Sequence, residues 1–150
     1  MDRTSFLAHA IQLEDEAERI YRRSAEVIDP AVNPEAAAFF REMAGYANHH
    51  LAEIMELAGI KDIAGVAPAS PYGEGGAPEA LSPAPVSGDV IDLDSAMAMA
   101  LAAERRAATF YEAIAAAAKD SQVAELAARF AEEEGGHVLA LERFQGLKPY

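Results

Sequence analysis

LEDEAERIY, residues 13–21, sets the reading of this chain, because AERRAATFY, residues 103–111, repeats it in the second half. In each stretch a Glu precedes a Tyr by seven residues: Glu14 and Tyr21, then Glu104 and Tyr111. Two further segments follow the same logic. FREMAGYANHHLAEI (residues 40–54) carries His50, and ARFAEEEGGHVLALERF (residues 128–144) carries Glu134 and His137. Aligned, Met43, Ala44, Ala47 and His50 match Phe130, Ala131, Glu134 and His137. The chain therefore reads as two related halves that differ at one telling position, Ala47 against Glu134.

Four long periodic segments surround these residues, at about 4–28, 33–58, 92–118 and 121–144. Their punctuation is that of helices. Asp29-Pro30 stops the first, since the residue before proline is pushed out of helical geometry. Asn33 caps the second, with Pro34 at its first position and Gly59 just past its end. Asp92 or Asp94 opens the third; Asp120 or Ser121 opens the fourth, which should stop at Gly146 and Pro149. Ala is abundant, Trp is absent and β-branched runs are few, so an all-α fold is expected.

Residues 59–91 are rich in Pro, Gly, Ala and Ser. A lone helical hairpin cannot bury its apolar face, so this stretch reads as a crossover on one bundle rather than an interdomain linker. Two tight antiparallel pairs joined by one long connection make a ferritin-like four-helix bundle, a single domain over 1–150.

Within the apolar stripes sit polar groups that do not belong there. Leu7, Ala10, Ile11, Ala17, Tyr21 and Ile28 recur at helical spacing, with Glu14 among them. Met97, Ala100, Leu101, Ala107, Tyr111 and Ile114 enclose Glu104. Phe40, Met43, Ala47, Ile54 and Leu57 flank His50; Val123, Ala127, Phe130, Leu141 and Phe144 flank Glu134 and His137. An ionised carboxylate buried without a partner costs several kcal/mol or more. Three in one core require a cation, and a divalent metal reverses the burial penalty. Glu134 and His137, three apart, share a helical face and can serve one ion.

The chain has no Cys, which excludes thiolate zinc sites, iron–sulfur clusters and disulfides. Oxygen and imidazole ligands suit iron, manganese or zinc. No catalytic group beyond the ligands stands out. Tyr21 and Tyr111 have two readings: core aromatics whose hydroxyls need a partner, or donors to metal-bound carboxylates. Glu16, Glu26, Glu132 and Glu133 read as solvated, and His9 and His49 as surface residues. A formal charge of −13 argues against nucleic acid. No signal segment or membrane span is recognisable, so a cytoplasmic location is expected. Phe6, Phe39 and Phe40 exceed a single stripe, which points to a homodimer.

These aligned residues resemble the rubrerythrin-like branch of the ferritin-like superfamily. Glu104-x-x-Ala107-x-x-Phe110-Tyr111 and Ala131-x-x-Glu134-x-x-His137 carry the resemblance, which spans all four helices. It implies a di-iron site and redox chemistry with peroxide or dioxygen. It assigns Glu14 and His50 to one ion, Glu104 and His137 to the other, and Glu134 as a bridge. Two departures stand out. Ala47 removes a second bridging carboxylate, a gap that water, Glu18 or His49 would have to fill; that leaves room for single occupancy and for a protein that binds metal without turnover. The four-Cys iron domain of rubrerythrin is missing, so electrons must come from an external donor.

Overall fold

The computed structural model describes residues 1–62, 86 and 88–147. It contains four α-helices: α1 (Arg3–Val27), α2 (Pro34–Ala58), α3 (Leu93–Ala117) and α4 (Ser121–Leu147). Together they form an all-α, ferritin-like four-helix bundle. Most of the expected crossover, residues 63–85 and 87, lies outside the described residues.

The caps explain the boundaries. Asp2 accepts from the Ser5 amide at 2.7 Å and starts α1. Asn33 accepts from the Ala36 amide at 3.0 Å, and Pro34 takes the position where a missing N–H does no harm. Asp92 and Ser95 form a reciprocal capping box at the head of α3. Asp120 accepts from the amides of Gln122 and Val123 before α4. At the end of α2, Gly59 takes φ +71°, and the Ile60 amide donates to the Met55 carbonyl at 2.9 Å. That left-handed turn suits glycine, which has no Cβ to clash. The fourth helix continues through Gly146 rather than stopping there. Phe144 stacks on Phe39 of α2 at 4.1 Å, which anchors the turn next to that glycine.

Helix α1 packs on α2, and α3 on α4; α1 and α3 bring the two pairs together. The α1–α3 contact is antiparallel: His9 meets Phe110, Glu16 meets Arg106, and Tyr21 meets Glu104. The core divides into two clusters. One gathers Tyr21, Phe40, Met43, Met97 and Leu141. The other gathers Phe6, Ile11, Ile54, Phe110, Tyr111 and Phe130. Phe6 lies parallel to Phe110 and Phe130 at 6.2 and 5.8 Å and edge-on to Tyr111. Phe6 and Phe40 are fully buried within one chain, and Phe39 is covered by Phe144. Phe6 and Phe40 are therefore spent on the monomer's own core, while the stacked Phe39 and Phe144 stay partly exposed.

Phe6 is fully buried and enclosed on three sides by the rings of Phe110, Phe130 and Tyr111. Phe6→Ala is expected to lower the unfolding free energy by about 3–5 kcal/mol, measured by urea denaturation. A loss below about 1 kcal/mol would mean that this end of the core is loosely packed.

Candidate metal centre

The five polar residues picked out by periodicity converge at the middle of the bundle. Glu14, Glu104 and Glu134 are 1%, 1% and 0% exposed, and His50 is 4% exposed. The His137 side chain is more open, at 19%. Each helix contributes through its apolar stripe, so the same periodicity that builds the core also aims these groups inward.

The geometry is two triads sharing one member. Glu14, His50 and Glu134 form the first; Glu104, Glu134 and His137 form the second. In each, one ligand atom per residue lies within 4.8 Å of the others. His50 Nδ1 is 3.3 Å from Glu14 Oε2 and 3.5 Å from Glu134 Oε1. His137 Nδ1 is 3.5 Å from Glu104 Oε2 and 3.4 Å from Glu134 Oε2. Glu134 thus turns one oxygen to each half.

The tyrosines cross over. Tyr21 donates to Glu104 Oε1 at 2.7 Å, and Tyr111 donates to Glu14 Oε1 at 3.0 Å. Each hydroxyl occupies the outer oxygen of the opposite half's carboxylate and leaves the inner one facing the cluster. Both hydroxyls find buried carboxylate partners, as either reading of these residues requires. Burial, then the charge of the neighbouring glutamates, pushes both phenols far above their ordinary range. They hold their protons and act as fixed donors.

Several inward atoms have no hydrogen-bond partner: Glu104 Oε2, both oxygens of Glu134, and Nδ1 of His50 and His137. Buried polar groups are normally satisfied, so five orphans meeting at one point call for a guest. Oxygens and imidazole nitrogens in this proportion fit a divalent metal of the iron, manganese or zinc kind. Without such an ion, protons take up part of the strain. Burial, then Glu104 and Glu14, raises the Glu134 carboxyl well above its ordinary value. Burial also opposes the charge on Glu14, but the close approach of Glu134 and His50 and the hydrogen bond from Tyr111 outweigh it and hold Glu14 below its ordinary value. Burial alone would lower the imidazoles; Glu14 at His50 and Glu104 at His137 raise them instead.

Some surrounding residues depart from expectation. Glu133 is not simply solvated: its Oε2 lies 2.7 Å from His50 Nε2. Its long side chain reaches back across the bundle from the position beside Glu134, which a count of helical faces does not reveal. His9 is not a surface residue. It is half-buried with its ring 4.0 Å from Phe110, and burial followed by Arg106 lowers it to about 4. Glu16 is largely buried against Arg106 and accepts from the Val86 amide. Glu26 pairs with Arg23 at the surface, and Glu132 is exposed, as expected. Of the substitutes proposed for the gap at Ala47, the two side chains point elsewhere: Glu18 pairs with Arg22 at 3.6 Å, and His49 is exposed. Surface cavities of about 390 and 410 Å³ lie elsewhere, beside Arg3 and Arg129 and beside Met55 and Ile60. Both are open hollows, and neither is lined by a member of the Glu–His cluster.

Comparison places this geometry among known folds. No protein-family model matches the chain, and none of the curated proteins does. Two solved structures are similar. One is an uncharacterized conserved protein from Magnetospirillum magnetotacticum MS-1, 28% identical, with a TM-score of 0.77 over 100% of this chain and 97% of that one. The other is a dodecameric thioferritin, the bacterioferritin-related protein of Bacteroides fragilis, 23% identical, with a TM-score of 0.67 over 95% of this chain and 83% of that one. The fold is thus the ferritin-like bundle, and its core carries carboxylate and imidazole groups that could hold metal. Among the described residues no helix is long and apolar enough to cross a membrane.

The protonation of Glu134 has a measurable consequence in metal-free protein. The unfolded chain releases this proton near the ordinary value of 4.5, while the native state retains it to well above that pH. Over that window the native state binds more protons, so this group's contribution to stability falls as pH rises. Glu134→Gln removes the dependence. In chelator, the wild-type unfolding free energy relative to the variant should decline from about pH 4.5 upward. A flat difference would show that the carboxyl is not forced into its neutral form.

Proposed function

We propose that the chain is a metal-dependent oxidoreductase of the ferritin-like, rubrerythrin-related kind. Its centre takes two iron ions and reduces peroxide or dioxygen with electrons from an external donor. The observation that carries this reading is the shared carboxylate. Glu134 offers one oxygen to the Glu14–His50 side and one to the Glu104–His137 side, and both oxygens lack any other partner. A core evolved only for packing has no use for five convergent, unsatisfied ligand atoms.

In this role Glu14 and His50 would hold one ion and Glu104 and His137 the other, with Glu134 offering an oxygen to each side. Bound iron supplies the one-electron steps and the open coordination positions that an oxidant needs. The chain supplies the rest. Tyr21 and Tyr111 fix the two terminal carboxylates by hydrogen bonds, and their protons stay on oxygen. The surrounding rings, Phe130 against His50 among them, keep bulk water out. Reduction of peroxide to two waters consumes two electrons and two protons; with no Cys in the chain, the electrons come from outside. We place the whole chain in one domain, read the protein as cytoplasmic, and include self-association, at least as a homodimer, since the thioferritin relative is dodecameric.

Ala47 favours one further reading, a protein that binds metal for storage, delivery or sensing without turnover. Its side chain is buried where the other half has a carboxylate, so the centre has one ligand fewer. One set of measurements separates the two. Ion-free protein titrated anaerobically with ferrous iron should take up close to two ions per chain, and the loaded protein should consume peroxide when given a reductant. Iron-loaded protein that leaves peroxide untouched supports binding alone. Protein that takes up no iron, manganese or zinc removes the centre altogether.

A further inference from the structure

Resting on that metal reading, we infer that Glu133 is the positioning residue for His50 and replaces the carboxylate that the first half lost at Ala47. The two halves differ here at adjacent positions. By the internal alignment Glu134 corresponds to Ala47, and Glu133 to Tyr46. Tyr46 is exposed, and its hydroxyl donates to Glu42 on its own helix. So α2 presents no carboxylate to the cluster, while α4 presents two in succession.

Both α4 carboxylates meet the same imidazole from opposite sides. His50 Nδ1 faces Glu14 and Glu134 at 3.3 and 3.5 Å; Nε2 faces Glu133 at 2.7 Å. An imidazole that gives one nitrogen to a metal must carry its proton on the other, and a carboxylate there fixes the tautomer and makes the ring a better ligand. The Glu133–His50 contact has the distance of a hydrogen bond but not its alignment, since Nε2 lacks a bonded partner. Glu133 sits at the rim, 37% exposed, where its own torsions can turn to complete the bond. His137 has no comparable carboxylate at Nε2 among the described ion pairs.

Charge points the same way. Glu14, Glu104 and Glu134 supply three negative charges against the four positive charges of two divalent ions. Glu133 supplies the fourth without entering the buried cluster. Because it acts through His50 alone, its effect should fall on one ion and spare the other.

Cobalt(II) titration of ion-free protein, followed by its visible absorption bands and by calorimetry, tests this. Glu133→Ala should weaken one of the two ions by about 10–100-fold and leave the other unchanged. Glu133→Gln should recover part of that loss, because its amide oxygen still accepts from Nε2–H. Thermal unfolding of the ion-free variants should match wild type, since a rim carboxylate adds little to packing. Wild-type affinities for both ions in Glu133→Ala would overturn the role of Glu133 and leave the centre standing. Equal weakening of both ions, or a large loss of ion-free stability, would also overturn it. Wild-type protein that binds no cobalt or other divalent ion would sink the centre and this role together.

Discussion

Three carboxylates in one apolar core are the constraint around which the rest of this structure is arranged. Moving an ion of that size out of water is penalised by several kcal/mol even after relaxation. The usual remedies for buried charge are missing at this depth. Glu14 lies eleven residues into α1, about 16 Å from the helix start, and the helix dipole is felt only within the first and last turns. No Lys or Arg pairs with Glu14, Glu104 or Glu134 among the described ion pairs. What remains is a proton on Glu134, two phenols, two imidazoles and ligand atoms close enough together to share a cation.

The crossing of the tyrosines shows how the two halves depend on each other. Tyr21 cannot reach Glu14, because seven residues along a helix amount to about 10 Å. It reaches Glu104 because α1 and α3 run antiparallel, which carries each tyrosine past the opposite glutamate. Neither helical hairpin can assemble this centre alone. The first triad is also drawn from both halves, since Glu134 of the second half joins Glu14 and His50, whereas Glu104, Glu134 and His137 all belong to the second half. Docking of the two pairs therefore completes the cluster, and the strain of ion-free carboxylates bears on the contact that joins them.

Much of this was legible before any coordinates. Asn33, Pro34, Gly59 and Asp92 mark helix ends by chemistry that is local, and local chemistry survives into the fold. Glu14, Glu104, Glu134, His50 and His137 lie in apolar stripes, and a stripe fixes the direction of a side chain. Reach and partner were harder to read. Glu133 lies in an acidic run between exposed Glu132 and buried Glu134, and only the path of α2 across its side chain makes it a neighbour of His50. His9 reads from sequence as a surface residue, yet Phe110, contributed by α3, packs against it. The continuation of α4 through Gly146 likewise depends on a distant partner, Phe39 beneath Phe144. In each case the deciding contact joins residues far apart in sequence, and no periodicity encodes it.

The loss at Ala47 is tolerable for a reason that the pseudo-symmetry exposes. In a fully symmetric centre each His-bearing helix would bring a carboxylate three residues before its imidazole, and both would be buried. Here one helix brings none. The other brings Glu134 into the core and leaves Glu133 at the edge, where water still solvates part of it. An edge carboxylate avoids most of the desolvation penalty that a second buried bridge would incur, while its charge still acts on His50 at contact distance. The ion-free protein is the less strained for it, because only three buried carboxylates repel one another instead of four. The asymmetry relieves the empty core and gives the two ends of the centre different surroundings. His50 is enclosed and backed by a carboxylate; His137 is more open to solvent and lacks one. Any ion that enters or leaves meets less protein on the His137 side, so exchange with solution should begin there.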